Sequence, residues 1–252
     1  MTGLAVTREG AVTHWRLTRP EAGNALDLAL TAALEAAVGV AATDGTRVVV
    51  LSAEGALFCG GGDVAAMSGA ADPGAYTLAL ASRLHRALLG VAEAGLVLVA
   101  AVQGAAAGAG FGIVLNADYV VASEKATFLT AYSALGVSPD GGTTHLLPRI
   151  VGPQRSAELV FAGRRLDAAT AHEWGIVNRV VGPDEVADTA ASIAAGMART
   201  PAAALSANKR LLSAGWLPGY REHLAAEAAS IADLIATDES RALREAFLTR
   251  GR

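Results

Sequence analysis

A single carboxylate, Asp140, lies between a proline and two glycines in the segment LGVSPDGGTTHLLPR, residues 135–149. Pro-Asp-Gly is a common turn sequence, because proline fixes its own φ, aspartate hydrogen-bonds to its own backbone and glycine adopts positive φ without strain. The same carboxylate could instead be a catalytic group. The local sequence therefore leaves two roles open for Asp140, a turn residue and a catalyst.

Two glycine-rich segments could supply backbone N–H groups that stabilise negative charge. They are ALFCGGGDV, residues 56–64, and VQGAAAGAGFGI, residues 102–113. Neither fits the dinucleotide-binding pattern, and the sequence contains no P-loop and no G-x-S-x-G nucleophile elbow. Small side chains at a helix start leave N–H groups exposed where the helix dipole favours negative charge. The spacing alone leaves both an oxyanion hole and simple close packing possible.

The elements that must position these segments alternate between short apolar runs and helical patterns. Strands are predicted at residues 11–17, 47–52, 96–102, 118–122 and 176–181, and helices at 26–43 (with Asn24 as cap), 76–94, 109–117, 153–162 and 168–174 (with Asp167 as cap). From residue 184 onward the pattern is helical throughout. Apolar strands separated by helices predict an α/β fold with a mostly parallel sheet covered on both faces.

Composition excludes several classes of function. The 252 residues carry a formal net charge of −4 and no run of Lys or Arg, so no nucleic-acid partner is expected. Cys59 is the single cysteine, which excludes an internal disulfide and a multi-cysteine metal cluster and agrees with a reducing compartment. The first residues lack the pattern of a signal peptide, so a cytoplasmic location is expected.

One apolar stretch, residues 95–115, is about long enough to span a bilayer. Gln103 and several glycines interrupt it, and it lacks flanking aromatic or basic anchors. A buried strand, a loop of small residues and a buried helix explain it better, so no membrane association is expected.

Four segments, taken in order and at their spacing, resemble the crotonase superfamily, the enoyl-CoA hydratase/isomerase group. They are RLTRPEAGNALD (16–27), LFCGGGDVAAM (57–67), VAAVQGAAAGAGFGIVLNADYVVAS (99–123) and LGVSPDGGTTHLLPRIVG (135–152), and RLDAATAHEWGIVNRVV (165–181) continues the match. The resemblance implies a spiral of ββα units, a core over residues 1–197 and a C-terminal helical region over 198–252 used in trimerisation. It also implies an acyl-CoA thioester as substrate and a homotrimer or a dimer of trimers.

The resemblance assigns site residues position by position. The N–H groups of Gly62 and Ala109 would bind the thioester oxygen, and losing one such donor typically costs about 3–4 kcal/mol of barrier. The other residues expected to bind substrate are Ala22, Asn24, Gly60, Gly61, Asp63, Val64 and Tyr132. Asp63 could equally serve as the cap of the following helix. Coenzyme A is part of the substrate, so no separate cofactor and no metal are expected.

The family's hydratases use two glutamates, and the matching positions here hold Gly112 and Tyr132. Without them ordinary hydration has no evident acid–base pair. The chain is most similar to isomerases with a PDGG loop, in which an aspartate at the position of Asp140 moves a proton between the carbons flanking a migrating double bond. The resemblance therefore implies isomerisation of a β,γ-enoyl-CoA to the α,β-isomer.

Three alternatives stay open. One is other crotonase chemistry such as hydration. Another is hydrolytic dehalogenation, in which Asp140 would be the nucleophile and His85 would assist, although an ordinary helix position is the default for His85. The third is a non-catalytic acyl-CoA-binding protein.

Arg244 and Arg250 could reach the phosphates of coenzyme A from the last helix, but surface arginines are common.

Overall fold

The computed structural model describes residues 2–250, and its strands form two sheets. The strands are β1 (Leu4–Glu9), β2 (Val12–Leu17), β3 (Val48–Ala53), β4 (Leu57–Cys59), β5 (Val97–Val102), β6 (Ala105–Ala107), β7 (Tyr119–Ser123), β8 (Thr127–Leu129), β9 (Leu166–Asp167) and β10 (Arg179–Val181). The larger sheet has the order β1-β2-β3-β5-β7-β10, and the smaller has the order β4-β6-β8-β9. Only the outer pairs β1–β2 and β8–β9 are antiparallel among these strands.

Helices connect and cover the sheets. They are α1 (Leu28–Ala41), α2 (Val64–Gly69), α3 (Pro73–Glu93), α4 (Ala109–Leu115), α5 (Thr143–Val151), α6 (Pro153–Phe161), α7 (Ala168–Glu173), α8 (Val186–Ala198), α9 (Ala202–Ser213), α10 (Tyr220–Ile235) and α11 (Asp238–Arg250). None of the helices within residues 2–250 is both long and apolar enough to cross a bilayer.

The central strands of the larger sheet are buried on both faces, as the continuous apolar runs predict. Along β3, Val49 and Leu51 belong to one core cluster, whereas Val48 and Val50 belong to a second one. The first cluster includes residues of α1 and α3, and the second includes residues of α8. The sequence-based expectation of a mostly parallel, doubly covered sheet is confirmed for this sheet.

Aspartate caps account for several helix starts. The side chain of Asp27 accepts a hydrogen bond from Leu30 N at 2.7 Å and begins α1, and Asp167 accepts one from Thr170 N and begins α7. The cap predicted at Asp167 is therefore confirmed, but the cap predicted at Asn24 is wrong. Asn24 has a φ of 52° and lies three residues before the true cap.

The smaller sheet was not predicted, because β4, β6 and β8 have only three residues each and such runs show no periodicity. Its parallel order has a direct consequence for function. Since β4, β6 and β8 run in one direction side by side, the loops that follow them emerge at the same edge of the sheet. These loops contain Gly60 to Gly62, Gly108 and Tyr132.

The C-terminal helices pack on the rest of the chain. Helix α10 lies along α3 and buries Leu224, Glu227 and Ile231. Helix α9 is attached through the buried Lys209, whose Nζ lies 2.6 Å and 2.7 Å from the two carboxylate oxygens of Asp118. The boundary predicted between residues 197 and 198 falls at the end of α8, and the division into two regions stays a prediction.

Candidate active site

The loops after β4 and β6 meet through glycines. Gly61 has a φ of 98°, and a Cβ there would lie 3.0 Å from Ala107 O and 3.6 Å from Ala109 N. At Gly110 a Cβ would lie 2.4 Å from Cys59 O, a separation that real Cβ atoms do not show. Glycine is thus required because the two backbones approach closely.

This approach brings together the N–H groups of Gly62 and Ala109. Ala109 is the first residue of α4, so its N–H has no intrahelical acceptor. Gly62 forms a parallel β-bridge with Leu26. Its two hydrogen bonds use the residues on either side of Gly62, because Leu26 N donates to Gly61 O and Asp63 N donates to Leu26 O. The N–H of Gly62 itself is not used in this bridge. Within residues 2–250, neither N–H donates to a protein acceptor. Both residues line the same cavity, so an anionic oxygen can be accepted there.

The cavity has a volume of about 400 Å³ and a mainly apolar wall. Side chains from α2, α3, α10 and α11 form the wall, and they include Met67, Leu80, Leu84, Ile231, Ile235 and Phe247. These residues were missed by sequence reasoning, because nothing in a helical apolar pattern shows whether a side chain faces the core or a cavity.

Asp140 lines this cavity and is only 6% exposed. Burial raises the pKa of its carboxyl above the ordinary value, while a hydrogen bond from Tyr132 opposes that shift. The result is a carboxylate that is a stronger base than a surface aspartate.

Tyr132 is the direct partner of this carboxylate. Its hydroxyl donates to Asp140 Oδ1 at 2.7 Å. Burial and the negative charge of Asp140 raise the pKa of Tyr132 well above its ordinary value, so the hydroxyl stays protonated and remains a donor. Tyr132 therefore orients the carboxylate and stabilises its ionised form.

The turn that carries Asp140 is held by side chains from two helices and from the residue that follows a third. His85 Nε2, on α3, accepts a hydrogen bond from Gly141 N at 2.9 Å. Asn116, after α4, donates to Gly141 O at 2.9 Å. Glu227, on α10, accepts from Gly142 N at 2.7 Å. Asp140 is thus both a turn residue and a cavity-lining carboxylate.

The His85 ring is neutral in this arrangement. Burial lowers its pKa, and Nε2 is an acceptor, so the ring proton is on Nδ1. His85 is not among the described residues that line the cavity. Its position is that of a fully buried helix residue that supports the turn.

The structure brings together most of the residues predicted to form the site. Gly60, Gly61, Gly62, Val64, Ala109, Tyr132 and Asp140 all line the cavity, whereas Ala22, Asn24 and Asp63 do not.

The side chain of Asn24 is engaged within the protein, and contact of Asn24 with coenzyme A through its backbone stays a prediction. Asn24 is 0% exposed, accepts from Arg19 N and donates to Glu54 O and Leu57 O. These bonds fix the loop that precedes α1 and leave the amide no access to a ligand.

Asp63 has the capping role. It accepts from Ala66 N at 3.0 Å at the start of α2, and its other oxygen lies 3.3 Å from Arg19 Nη2. Ala22 lies in a short turn next to Gly23, whose carbonyl accepts from Gly60 N. Contact of Asp63 or Ala22 with coenzyme A stays a prediction.

Arg244 does not reach outward. It is buried, and its guanidinium donates to Ser68 Oγ, Ser240 Oγ and the carbonyl of Ile235. The suggestion that Arg244 binds phosphates of coenzyme A is therefore wrong, because its donors join α11 to α2 and α10. The side chain of Arg250 lies outside the described residues.

Comparison with known proteins agrees with this geometry. The family model described as enoyl-CoA hydratase/isomerase matches residues 7–252. The chain is 35% identical over 238 residues to a probable enoyl-CoA hydratase of Rhodobacter capsulatus, which covers 93% of this chain and 90% of that protein. It is also similar to two other curated proteins. A 1,2-epoxyphenylacetyl-CoA isomerase of Escherichia coli is 35% identical, covering 81% of this chain and 79% of the relative. A 4-chlorobenzoyl coenzyme A dehalogenase of an Arthrobacter species is 33% identical, covering 79% and 73%.

Among solved structures, an enoyl-CoA hydratase from Mycobacterium avium subsp. paratuberculosis superposes with a TM-score of 0.89 at 29% identity, covering 98% of this chain and 96% of that one. The expected fold, parallel α/β with a C-terminal helical region, is thereby confirmed. The chain belongs to the enoyl-CoA hydratase/isomerase family and thus to the crotonase superfamily.

Proposed function

We propose that this protein isomerises a β,γ-enoyl-CoA to the α,β-enoyl-CoA, with Asp140 as its single acid–base group. One observation carries the proposal. Of the described residues that line the cavity, Asp140 alone bears a carboxylate, and it shares that cavity with the N–H groups of Gly62 and Ala109.

In the proposed reaction, ionised Asp140 removes a proton from the α-carbon. The electron pair of that C–H bond moves into a dienolate, whose thioester oxygen accepts hydrogen bonds from Gly62 and Ala109. Protonated Asp140 then returns the proton to the γ-carbon, the double bond settles between the α- and β-carbons, and the enzyme is regenerated. One carboxylate suffices because a single proton is moved.

The surroundings of Gly112 argue against hydration. A Cβ at Gly112 would lie 3.1 Å from Gly141 O and 3.2 Å from Gly141 Cα, so the turn after Asp140 occupies the space where a side chain would begin. A longer side chain at this position would require the Gly141 backbone to move by a few tenths of an ångström. The turn after Asp140 is thus packed closely on a residue without a side chain, which supports a mechanism with one carboxylate.

Dehalogenation is the second candidate, because a relative at 33% identity is named as a 4-chlorobenzoyl coenzyme A dehalogenase. That reaction would use Asp140 as a nucleophile and needs a base to activate water against the aspartyl ester. His85 is the obvious base, but its Nε2 is occupied by Gly141 N–H and the ring lies outside the cavity lining. The geometry therefore favours isomerisation.

The apolar wall indicates the class of acyl group. Apart from the Asp140 and Tyr132 end, the cavity presents mostly hydrocarbon, so we propose an apolar acyl group with coenzyme A extending outside. The homotrimer, or dimer of trimers, also stays a proposal. Exposed apolar side chains such as Phe161, Leu211 and Leu212 are available for contacts between subunits.

A product analysis tests the proposed function. Purified protein would be given, in separate reactions, a β,γ-enoyl-CoA, an α,β-enoyl-CoA and 4-chlorobenzoyl-CoA. We expect the first to become the conjugated isomer, with part of an α-deuterium label recovered at the γ-carbon, since one group carries the proton. Hydration of the second, or chloride release from the third, at a higher kcat/KM would overturn the proposal.

Replacing Tyr132 with phenylalanine tests the role of its hydroxyl. Because the hydrogen bond from Tyr132 lowers the pKa of Asp140, its loss raises that pKa further. We expect the acid limb of kcat/KM that reports Asp140 to move to higher pH, while the rate at alkaline pH changes by less than about tenfold because the base itself remains. Tyr119→Phe, on β7, is the matched control. A profile identical to that of the wild type would show that the hydroxyl does not tune Asp140.

A further inference from the structure

Glu227 is a buried carboxylate that the proposed reaction does not use. It lies on α10 and is 5% exposed. Its Oε2 accepts from Gly142 N at 2.7 Å, and its Oε1 accepts from Thr144 N at 2.9 Å and from the Thr144 hydroxyl. Three donors from one short segment thus converge on one carboxylate.

These bonds fix the segment that follows Asp140. Gly142 is two residues from Asp140 and precedes α5, so its N–H and that of Thr144 belong to the donors that a helix start leaves unpaired. In most helices a local cap satisfies such donors, but α5 has a glycine at this position and no side-chain cap. Glu227 supplies the acceptor from a helix 83 and 85 residues further along the chain.

Close packing leaves the segment little freedom to find another partner. A Cβ at Gly142 would lie 2.1 Å from the hydroxyl oxygen of Tyr220, which is on α10 and donates to Asn116 Oδ1. Asn116 in turn donates to Gly141 O. Helix α10 therefore contacts the turn through both Tyr220 and Glu227.

We propose that Glu227 is a positioning residue, and that its ionised carboxylate holds the Asp140 turn in the geometry needed for proton transfer. The two oxygens of an ionised carboxylate can each accept from one backbone N–H. A protonated acid or an amide places a hydrogen-bearing atom on one side and cannot serve both donors equally well. The part of this inference that concerns catalysis rests on the proposed function.

The charges around Glu227 determine where it titrates. Burial has the largest effect and raises the pKa of Glu227. The hydrogen bonds from Thr144 and Gly142 lower it, and repulsion by Asp140 raises it again. The resulting pKa is about 7. His223, on the same helix, lies 3.6 Å away, but burial lowers its pKa, so it is largely neutral at that pH. The other titratable or charged groups packed nearby are His85 on α3, His145 and Arg149 on α5, and Tyr220 on α10.

The sign of the effect follows directly. As pH falls through about 7, Glu227 takes up a proton and its hold on the two N–H groups weakens. The folded state also binds this proton more tightly than the unfolded chain, in which the pKa is 4.5. The contribution of Glu227 to stability is therefore greatest below about 4.5 and falls as pH rises to about 7.

The test compares Glu227→Gln with Glu222→Gln, which removes the same charge from an exposed position on α10. We expect E227Q to lower kcat above pH 7 by about 10–100-fold, as misplacement of a reacting group does, with KM changed by less than about threefold. The step in the activity profile near pH 7 should disappear in E227Q and persist in E222Q.

Two measurements do not depend on the reaction. The amide proton shifts of Gly142 and Thr144 should titrate with a midpoint of about 7 in the wild type and in E222Q, but not in E227Q. The unfolding free energy of the wild type relative to E227Q should fall as pH rises from about 4.5 to about 7. If the wild type shows these titrations but no isomerase activity, the proposed function fails while the placement of Glu227 stands.

Thr144→Val provides a second variant in case E227Q does not fold. It removes one donor and keeps both backbone N–H groups, so the pKa of Glu227 should rise further and the activity step should move to higher pH. Equal kcat and KM in E227Q and wild type, or amide shifts that do not titrate, would overturn the proposal. A loss of stability in E227Q that is equal at every pH, with kcat unchanged in the folded fraction, would show a purely structural role.

Discussion

Replacing Asp140 with asparagine is expected to lower kcat for isomerisation by about 10²–10⁴-fold, the usual contribution of a positioned acid or base. Asparagine has nearly the same shape and can still accept from the Tyr132 hydroxyl at its carbonyl oxygen. It cannot take up a proton from the α-carbon, so both halves of the proton transfer are lost. The Kd for the CoA thioester should change by less than about threefold, because the proposed reaction gives the carboxylate no role in holding coenzyme A.

Although it lowers activity, the same substitution is not expected to lower the stability of the folded protein. Burial raises the pKa of Asp140 above its unfolded value, so its ionisation costs stability as pH rises through the folded pKa. A neutral asparagine avoids that cost. The variant should therefore unfold at neutral to alkaline pH no more easily than the wild type, as followed by thermal or urea denaturation.

The matched control is Asp72→Asn, which removes an aspartate that caps α3 at the surface. Asparagine caps helices as well as aspartate does, so this control should retain both activity and stability. Substantial isomerase activity in D140N would mean that another group carries the proton. If the wild type shows no isomerase activity but releases chloride from 4-chlorobenzoyl-CoA, Asp140 would instead be a nucleophile.

Sequence patterns could predict five of the six strands of the larger sheet, all but β1, and most of the helices around it. The apolar run of β5 and the Asp167 cap of α7 are strong local signals, and both agree with the structure. Local signals fail where tertiary pairing determines the structure. Strand β1 has an exposure pattern typical of an outer strand, with no buried residue, and is stabilised by antiparallel pairing with β2.

Some residues of the site could also be predicted from the sequence, and others could not. The glycine loops leave a motif in the sequence because close backbone approach restricts residue type, and the resemblance to the crotonase superfamily points to Asp140. Glu227 leaves no such trace. In the segment REHLAAEAAS it follows helical periodicity like any surface glutamate, and its burial depends on how α10 packs on α3 and on the Asp140 turn.

The structure also changes the meaning of an absence seen in the sequence. Gly112 stands where a hydratase glutamate would be expected, and from sequence alone this is only a missing carboxylate. With Gly141 backbone atoms 3.1–3.2 Å from the position of a Cβ, a side chain at Gly112 would also press against the turn that holds Asp140. A variant that restores a side chain there is expected to shift this turn by a few tenths of an ångström.

Replacing Ala109 with proline is the second change expected to have a large effect. Truncating a side chain cannot remove a backbone N–H, but proline lacks this group. Ala109 is the first residue of α4, a position at which proline is well tolerated because its φ suits the helix and the N–H has no intrahelical partner. The preceding Gly108, at φ 52° and ψ −126°, is outside the α region that a following proline disfavours.

We expect A109P to lower kcat by about 10²–10³-fold, equivalent to about 3–4 kcal/mol of barrier, since the proposed reaction would lose one of its two donors to the developing oxyanion. Ala109→Ser keeps the N–H and is the control for any change in side chain. Circular dichroism and thermal unfolding of A109P should resemble those of the wild type.

The dependence on the substrate oxygen separates this effect from simple blockage of the cavity. A CoA thioether lacks the thioester carbonyl oxygen, so its binding should be affected little by A109P, whereas binding of a stable enolate-like thioester analogue should weaken in proportion to kcat. Equal weakening for both ligands would mean that the proline ring merely obstructs the cavity. Unchanged kcat would show that Ala109 N–H does not contact the oxyanion. The proposed oxyanion site with two donors, Gly62 N–H and Ala109 N–H, would then be wrong.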